Sequence, residues 1–184
     1  MLALKETGTR KALKFILFGF LGIIYHRIVL HWFPFPPVRK LFLQLLGAKI
    51  GTGSIIMDVR FFNWHQTGPG GLKIGKDCFI GDETLIDLYD KVILEDQVTL
   101  AQRVTVLTHL NVGYSDHPLQ KFFPKTSKPV IFKKGSVIAA SSTILPGITI
   151  GEQSFVAAGS VVTRNVLPNS LFAGVPAKLI RKLK

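Results

Sequence analysis

The sequence predicts an all-β fold, a solenoid of short parallel strands, behind an amino-terminal helical segment. Two observations support this prediction: apolar residues recur every six positions from residue 50 onward, and the first 46 residues hold long apolar runs without that period. The chain has 184 residues, 47% of them hydrophobic and 18% charged, which suits one domain with a core better than two. We therefore expect three segments, residues 1–46, 47–167 and 168–184.

The first segment, residues 1–46, is apolar and basic. Its longest unbroken apolar run, Phe15–Tyr25, is about half of the ~20 residues that a bilayer-spanning helix needs. His26 and Arg27 interrupt the apolar character, and a proline cluster ends the run that follows. We expect helices that associate with a membrane surface, as interfacial or re-entrant elements. A signal peptide, a complete transmembrane span, and helices packed on the protein's own body remain alternatives.

The positive charge lies at the two ends of the chain. Residues 1–49 carry eight Lys and Arg against one Glu, and residues 164–184 carry five basic and no acidic residues. The formal net charge of the whole chain is +12, so the charges of residues 50–163 balance. Basic residues interleaved with apolar stretches favour an anionic membrane surface over a nucleic acid, for which no binding module is recognisable. We expect a peripheral or monotopic protein on the cytoplasmic face of a membrane.

The second segment, residues 47–167, carries the repeat. Most positions four residues after each apolar residue are small or β-branched, and several glycines follow the apolar residue directly. In an extended chain, residues two apart face the same side, so both positions of a hexad can point inward, and a turn completes the hexad. Stacked coils of this kind bury one continuous core. The apolar positions are Ile74, Ile80 and Ile86; Leu94, Leu100 and Val106; and Phe132, Ile138, Ile144, Ile150, Val156 and Val162.

The single cysteine, Cys78, occupies one of the small inward positions. We interpret it as a core residue and not as a nucleophile. It excludes an internal disulfide framework and a cysteine-cluster metal site. We expect no metal, because the histidines lack the spacing of a zinc site. They stand at positions 26, 31, 65, 109 and 117.

Two breaks in the six-residue phase predict loops. Ile86 and Leu94 are eight residues apart, which indicates a two-residue insertion around Tyr89-Asp90. A longer interruption predicts an excursion over about residues 108–128. Loops that leave a rigid scaffold commonly carry functional residues.

The hexads IGKDCF, IGDETL, ILPGIT, IGEQSF and VAAGSV, and the closing stretch ILPGITIGEQSFVAAGSVVTRNVLPNSLFAGVPAKLIRK, resemble the hexapeptide-repeat acyltransferases over about residues 47–184. Within that family the sequence is most similar to sugar and polysaccharide O-acetyltransferases of the galactoside, maltose and colanic-acid biosynthesis type. The opening RKLFLQLLGAKIG also occurs in the polysaccharide branch. The resemblance implies a left-handed parallel β-helix of hexapeptide repeats, usually a homotrimer. It also implies acetyl-CoA as a co-substrate, with no bound cofactor.

Acyl transfer from a thioester to a hydroxyl needs a base that works near neutral pH, and histidine suits that role. His109, in TVLTHLNVGY, matches the position of the catalytic histidine in many family members, and His117 is the second candidate. Other members carry this histidine two residues later, where this chain has Asn111. Asp87 or Asp90, near the first phase break, would orient the histidine or bind acceptor hydroxyls; the alternative is that both aspartates form turns.

The family resemblance also implies a coenzyme A site along the carboxyl-terminal coils, between neighbouring subunits. Small side chains would expose the backbone to the pantetheine arm, and cations would meet the phosphates. The implied contacts are backbone at Ala140 and Ala158, then Thr163 and Arg164, then the phosphate-binding Lys178 and Arg181. The basic segment 168–184 could instead be a solvated or membrane-facing tail.

Together these features predict an O-acetyltransferase that acts on a sugar hydroxyl, of a lipid-linked or surface polysaccharide precursor, without an acyl-enzyme. Two alternatives remain: an acyltransferase that uses acyl carrier protein on a lipid-like acceptor, and a catalytically silent trimeric membrane scaffold. The loop residues Trp64 and His65 either touch an acceptor or cover a coil.

Overall fold

The chain forms a parallel β-solenoid of about five turns with helices at its amino-terminal end. The computed structural model describes residues 9–32 and 35–183. The solenoid confirms the fold expected from the six-residue period. The helical elements are α1 (Thr9–Ile23), a π-helical turn (Ile24–Val29), α2 (Leu30–Trp32), α3 (Pro36–Leu45), α4 (Trp64–Thr67) and a 3-10 turn (Pro69–Gly71).

Three parallel sheets form the sides of the solenoid. The strands of the described chain are β1 (Lys49–Ile50), β2 (Ile55–Ile56), β3 (Val59–Phe62), β4 (Leu72–Ile74), β5 (Phe79–Ile80), β6 (Thr84–Asp87), β7 (Val92–Leu94), β8 (Thr99–Leu100), β9 (Thr105–Val106), β10 (His109–Leu110), β11 (Thr126–Ser127), β12 (Val130–Phe132), β13 (Val137–Ile138), β14 (Thr143–Ile144), β15 (Thr149–Ile150), β16 (Phe155–Val156), β17 (Val161–Val162), β18 (Ser170–Ala173) and β19 (Lys178–Lys182). All but β10 and β11, which form a separate antiparallel pair, belong to the three sheets. The first sheet has the order β1-β4-β7-β12-β15, the second β19-β18-β16-β13-β8-β5-β2, and the third β17-β14-β9-β6-β3.

Equivalent residues of successive coils lie directly above one another. One such column in the second sheet, fully buried throughout, is Ile56, Ile80, Leu100, Ile138 and Val156. Burial of each such aliphatic side chain contributes about 1.5–3 kcal/mol to folding. The six-residue period therefore has a simple cause: each hexad supplies one short strand, one inward apolar residue and one turn.

The small inward positions are also buried, and they satisfy backbone groups. The hydroxyls of Ser142 and Ser160 both donate to the carbonyl oxygen of Ala157, at 3.0 and 2.6 Å. The Cys78 thiol donates to the carbonyl oxygen of Glu95 at 3.0 Å and is 2% exposed. The structure thus places Cys78 in the core, as expected.

The helices close the amino-terminal end of the solenoid. We call residues 12–32 the cap. Tyr25, at its centre, is fully buried, with its ring centroid 5.5 Å from that of Trp64 and 5.6 Å from that of Phe61. Trp64 therefore covers the first coil. Aromatic pairs of this kind add about 0.5–1.5 kcal/mol beyond their buried area.

The cap lies along the body of the protein. Near its start, the Lys14 ammonium donates to the carbonyl oxygen of Gln66, and near its end, His26 Nε2 donates to the carbonyl oxygen of Phe61 at 2.9 Å. Its length and composition alone would allow Ala12–Trp32 to cross a membrane. Several apolar side chains of α1 are between 52% and 68% exposed: Leu13, Phe15, Ile16, Leu17, Phe20 and Ile23.

The carboxyl-terminal segment corrects one expectation. Residues 168–184 were expected as a basic tail, but β18 and β19 form an antiparallel pair that extends the second sheet. Phe172 pairs with Val156 of the last coil and is buried, so the solenoid core continues into β18. The free edge of β18 then accepts β19, in which Lys178 pairs with Ala173.

Candidate active site

A histidine and an aspartate meet at the end of the third sheet, where both phase breaks fall. Asp87 ends β6, and His109 begins β10, three residues after the end of β9. His109 Nδ1 lies 2.5 Å from Asp87 Oδ2, although the two residues are 22 positions apart in the sequence. The antiparallel pair β10–β11, in which His109 pairs with Ser127, holds the histidine at the base of the excursion.

Asp87 is completely buried and accepts four hydrogen bonds. The donors are Asn63 Nδ2 at 2.7 Å, His109 Nδ1 at 2.5 Å, and the backbone N–H groups of Tyr89 and Thr108, each at 3.0 Å. Burial by itself would raise the pKa of the Asp87 carboxyl, but these four donors together hold that pKa below its ordinary value. The carboxylate is therefore ionised at neutral pH.

This arrangement determines the tautomer of His109. Because the ionised Asp87 can only accept, the His109 Nδ1 must carry the proton, and Nε2 then presents a lone pair. No protein group in residues 9–32 and 35–183 bonds to that Nε2. The side chain is 23% exposed and stacks on the Tyr89 ring, with centroids 4.5 Å apart. The His109 imidazole is thus held in a fixed orientation and is partly exposed to solvent.

Two residues of the site were missed by the sequence analysis. Asn63, which follows β3, adopts a left-handed backbone conformation with φ of 58° and donates a hydrogen bond to the Asp87 carboxylate of the next coil. The buried Thr108 bonds to Asp87 through its N–H and, at 3.1 Å, through its hydroxyl. The signal in the sequence was their position, one and two residues after the ends of β3 and β9 of the third sheet.

The other candidates for this site lie outside the pair. The Asp90 carboxylate accepts from the N–H of Lys91 at 2.7 Å, as a turn-forming aspartate does. Asn111 caps the loop by accepting from the N–H of Gly113, and His117 Nδ1 accepts from the N–H of Leu119, both at 3.1 Å. Asp87, and not Asp90, contacts the histidine.

The residues expected to contact coenzyme A occupy separate places on the last coils. Ala140 and Ala158 belong to adjacent coils at one corner, where the N–H of Gly159 donates to the Ala140 carbonyl at 2.9 Å. Lys178 adjoins this corner, because the N–H of the preceding Ala177 donates to the Val161 carbonyl at 2.8 Å. Thr163 and Arg164 are exposed after β17, and Arg181 pairs with Leu171 on the second sheet.

Two further features define what the site can do. Burial raises the pKa of the Cys78 thiol, so this group is a poor nucleophile at neutral pH. Within the described part of the chain, no group of three His, Cys, Asp or Glu side chains is placed to hold a metal ion.

His65 stacks edge-on against Phe15 of the cap, at 4.8 Å between ring centroids.

Comparison with known proteins finds similarity to acetyltransferases, in agreement with the resemblance seen in the sequence. The family described as hexapeptide repeat of succinyl-transferase matches residues 130–164. The galactoside O-acetyltransferase of Escherichia coli strain K12 is 29% identical over 147 residues, covering 79% of this chain and 68% of that protein. The putative colanic acid biosynthesis acetyltransferase WcaF of the same strain is 28% identical over 144 residues, covering 78% and 74%. The chain is thus similar in sequence to hexapeptide-repeat acetyltransferases over most of its length.

Solved structures share the fold of this chain. A hexapeptide-repeat containing acetyltransferase from Vibrio cholerae superimposes with a TM-score of 0.75 at 23% identity, covering 97% of this chain and 95% of its own. A galactoside acetyltransferase in complex with coenzyme A gives a TM-score of 0.78 at 24% identity, covering 97% and 84%. Because both superpositions cover 97% of this chain, the similarity includes its helices as well as its coils.

Proposed function

We propose that the protein transfers acetyl from acetyl-CoA to a hydroxyl group of a sugar. The observation that carries this proposal is the His109–Asp87 pair, in which the imidazole is partly exposed and its Nε2 has no protein partner within the described chain. The similarity to a galactoside O-acetyltransferase supports a sugar acceptor. A similar fold in a galactoside acetyltransferase complexed with coenzyme A supports the donor.

In the proposed reaction, His109 Nε2 takes the proton of the acceptor hydroxyl while the oxygen attacks the thioester carbonyl. The tetrahedral intermediate collapses with cleavage of the carbon–sulfur bond, and the imidazolium returns its proton to the leaving thiolate. Asp87 keeps Nδ1 protonated and stabilises the transient positive charge on the ring. The transfer is direct, without an acyl-enzyme, so Cys78→Ala should keep its activity.

The donor site and the assembly belong to the same proposal. We place acetyl-CoA along the carboxyl-terminal coils of a left-handed β-helix that assembles as a homotrimer. The pantetheine arm would lie near Ala140 and Ala158. Thr163 and Arg164 would follow the arm. The exposed Lys178 and Arg181 would meet its phosphates. The exposed aromatic side chains of the excursion, Phe122 among them, are suited to contact a neighbouring subunit.

We place the protein on the cytoplasmic face of a membrane, acting on a lipid-linked or surface polysaccharide precursor. The outward face of α1 is apolar, and the first segment of the chain is basic. Because both Lys14 and Tyr25 pack against the body, a cap that spanned the bilayer would draw the polar solenoid into lipid. The cap would therefore lie flat at the interface, as a monotopic anchor.

A vesicle flotation assay tests the anchor. Replacing the outward Ile16 and Phe20 together by serine should release the protein from vesicles that contain phosphatidylglycerol, with an unchanged circular dichroism spectrum. The control replaces two exposed solenoid residues, Lys73 and Lys76, by serine. If the Ile16 and Phe20 variant still floats with the vesicles, α1 is not the anchor.

The activity is tested by thiol release from acetyl-CoA in detergent, with a panel of sugars and a lipid extract from the source cells. Acceptor-dependent release that is lost in His109→Ala and kept in His117→Ala supports the proposal. Release only from acyl carrier protein thioesters would indicate the alternative donor, with a lipid-like acceptor. Absence of release from every donor would indicate a silent scaffold.

A further inference from the structure

Two adjoining cavities form one groove between the cap and the first two coils. The larger has a volume of about 500 Å³ and the smaller about 320 Å³. They share His26, Arg27 and Phe61 in their walls, so the two cavities adjoin at these residues. We call this feature the cap groove. Its two halves differ in chemistry.

The smaller half is apolar. Phe15, Phe18 and Ile23 of α1 form one wall, and Trp64 forms part of the other. Gly19 and Gly22 also line it, and the space beside both glycines is open to at least 4 Å. An alkyl chain would fit against these rings, because burial of apolar surface is favourable.

The larger half is cationic. Arg27 and Arg60 both line it, and neither guanidinium has a carboxylate partner among the residues that the structure describes. His26 and His31 also face this half. Burial, with the nearby Arg60 charge adding to it, lowers the pKa of His26, so the fixed charge at neutral pH comes from the two arginines.

One acidic group stands in the same half. Asp58 lines the cavity, and its Oδ1 is buried without any hydrogen-bond donor in the described structure. That oxygen is closed to the groove, but Asp58 as a whole is only half-buried, so its other carboxylate oxygen is the acceptor that a donor from a ligand could reach. A sugar hydroxyl is such a donor. The groove therefore offers complementary contacts to an alkyl chain, an anion and a hydroxyl group.

The backbone of the cap is unusual where it lines the groove. Ile24–Val29 form a π-helical turn, with the N–H of Leu30 donating to the carbonyl oxygen of Tyr25. This turn carries both His26 and Arg27. Single π-helical turns inside α-helices are frequent at functional sites, because the extra residue per turn redirects the neighbouring side chains.

The cap groove and the catalytic pair share the third sheet. Arg60 on β3 pairs with Leu85 on β6, two residues before Asp87. Asn63, which lines the apolar half, donates directly to Asp87. From the strand spacing and rise, the Arg60 and His109 backbones are roughly 15 Å apart, which a short oligosaccharide can bridge.

We propose that the cap groove binds the lipid-phosphate end of the acceptor. The alkyl chain lies between α1 and Trp64, the phosphate lies between Arg27 and Arg60, and hydroxyls of the adjoining sugar donate to Asp58. The sugar to be acetylated then extends along the third sheet to His109. This assignment rests on the proposed function, since it names the class of acceptor: an alkyl or polyprenyl phosphate that carries a glycan.

A binding experiment tests the groove without turnover. In a Trp32→Phe background Trp64 is the only tryptophan, so its fluorescence reports on the apolar half. Decyl phosphate is titrated into the full chain in a non-ionic detergent, with decanol as the uncharged control. We expect saturable binding of decyl phosphate, weakened about tenfold by Arg27→Gln or Arg60→Gln and unchanged by the matched control Lys73→Gln.

The outcomes separate this proposal from the catalytic one. His109→Ala should bind decyl phosphate as the parent protein does, so a failed acetyl-transfer assay leaves this test intact. Equal binding of decanol and decyl phosphate, or unchanged binding in Arg60→Gln, would overturn the assignment. If the arginine variants lose only affinity for phosphatidylglycerol vesicles, the cations serve the membrane surface and the groove assignment is wrong.

Discussion

Asp87 is the residue on which the candidate site depends. It is a completely buried carboxylate that accepts four hydrogen bonds, and it links β3 and β6 to the start of the excursion. A buried charge is tolerated only when it is paired and hydrogen-bonded, so this group has both a structural and a catalytic consequence. The two consequences can be measured separately.

The catalytic consequence concerns the tautomer of His109. Asp87→Asn keeps the size of the side chain but presents an amide where Asn63 and His109 both donate. We expect kcat to fall by about a hundredfold or more, with the KM for acetyl-CoA nearly unchanged, because the base is no longer held in the correct tautomer. Steady-state kinetics would show this. Asp90→Asn, the matched control, should change kcat little; an equal loss there would contradict the assignment of Asp87.

The structural consequence is a dependence of stability on pH. The folded-state pKa of Asp87 is below the unfolded value of about 3.9, so the unfolded chain takes up this proton first as the pH falls. Its stabilising contribution is present above about pH 4 and is lost as the pH falls further, through the folded-state pKa. Urea unfolding should show a difference between wild type and Asp87→Asn that is largest near pH 7 and shrinks below pH 4. A constant difference would contradict this linkage.

At the scale of elements, close stacking of the coils requires the glycines at the corners. A Cβ on Gly81 would lie 2.8 Å from the backbone carbon of Ala101 in the next coil. The backbone cannot move aside as a flexible side chain would, because Leu85 and its neighbours are hydrogen-bonded to the same coil. Each coil therefore limits the size of the side chains at the corners of the preceding coil.

This limit predicts that Gly81→Ala destabilises the protein by about 1–3 kcal/mol through overpacking. Thermal unfolding followed by circular dichroism measures the effect. The control is Gly19→Ala on α1, where a Cβ meets nothing within 4 Å and helix propensity favours alanine. A Gly81→Ala protein as stable as the Gly19→Ala protein would contradict the overpacking.

At the scale of the whole molecule, the histidine and the proposed phosphate-binding residues belong to different coils of one chain. His109 ends the third coil, whereas Lys178 and Arg181 lie on β19, beyond the fifth. A donor site between subunits, as we propose, would bring them together across an interface. The oligomer would then be required for activity and not only for stability.

Mixed trimers test this requirement. We expect His109→Ala to be inactive and the double variant Lys178→Ala with Arg181→Ala to be nearly inactive at low acetyl-CoA. Random mixing of the two would restore about a quarter of the sites, because each intact site takes its histidine from one subunit and its cations from the next. Activity after refolding a mixture is compared with unmixed samples. No recovery in verified mixed trimers would place both groups of residues in the same subunit.

The sequence by itself determined the solenoid, the position of the excursion, the core role of Cys78 and the candidate base His109. These follow from local repetition, since each hexad specifies its own strand and turn and any shift of phase is visible in the printed chain. Only the tertiary structure decided which aspartate meets His109, that Asn63 and Thr108 support it, and that residues 168–184 add two strands. It also placed Arg27 and Arg60 in the wall of one cavity. Such pairings depend on how successive coils and the cap align, and residues 20 or more positions apart leave no periodic signal in the sequence.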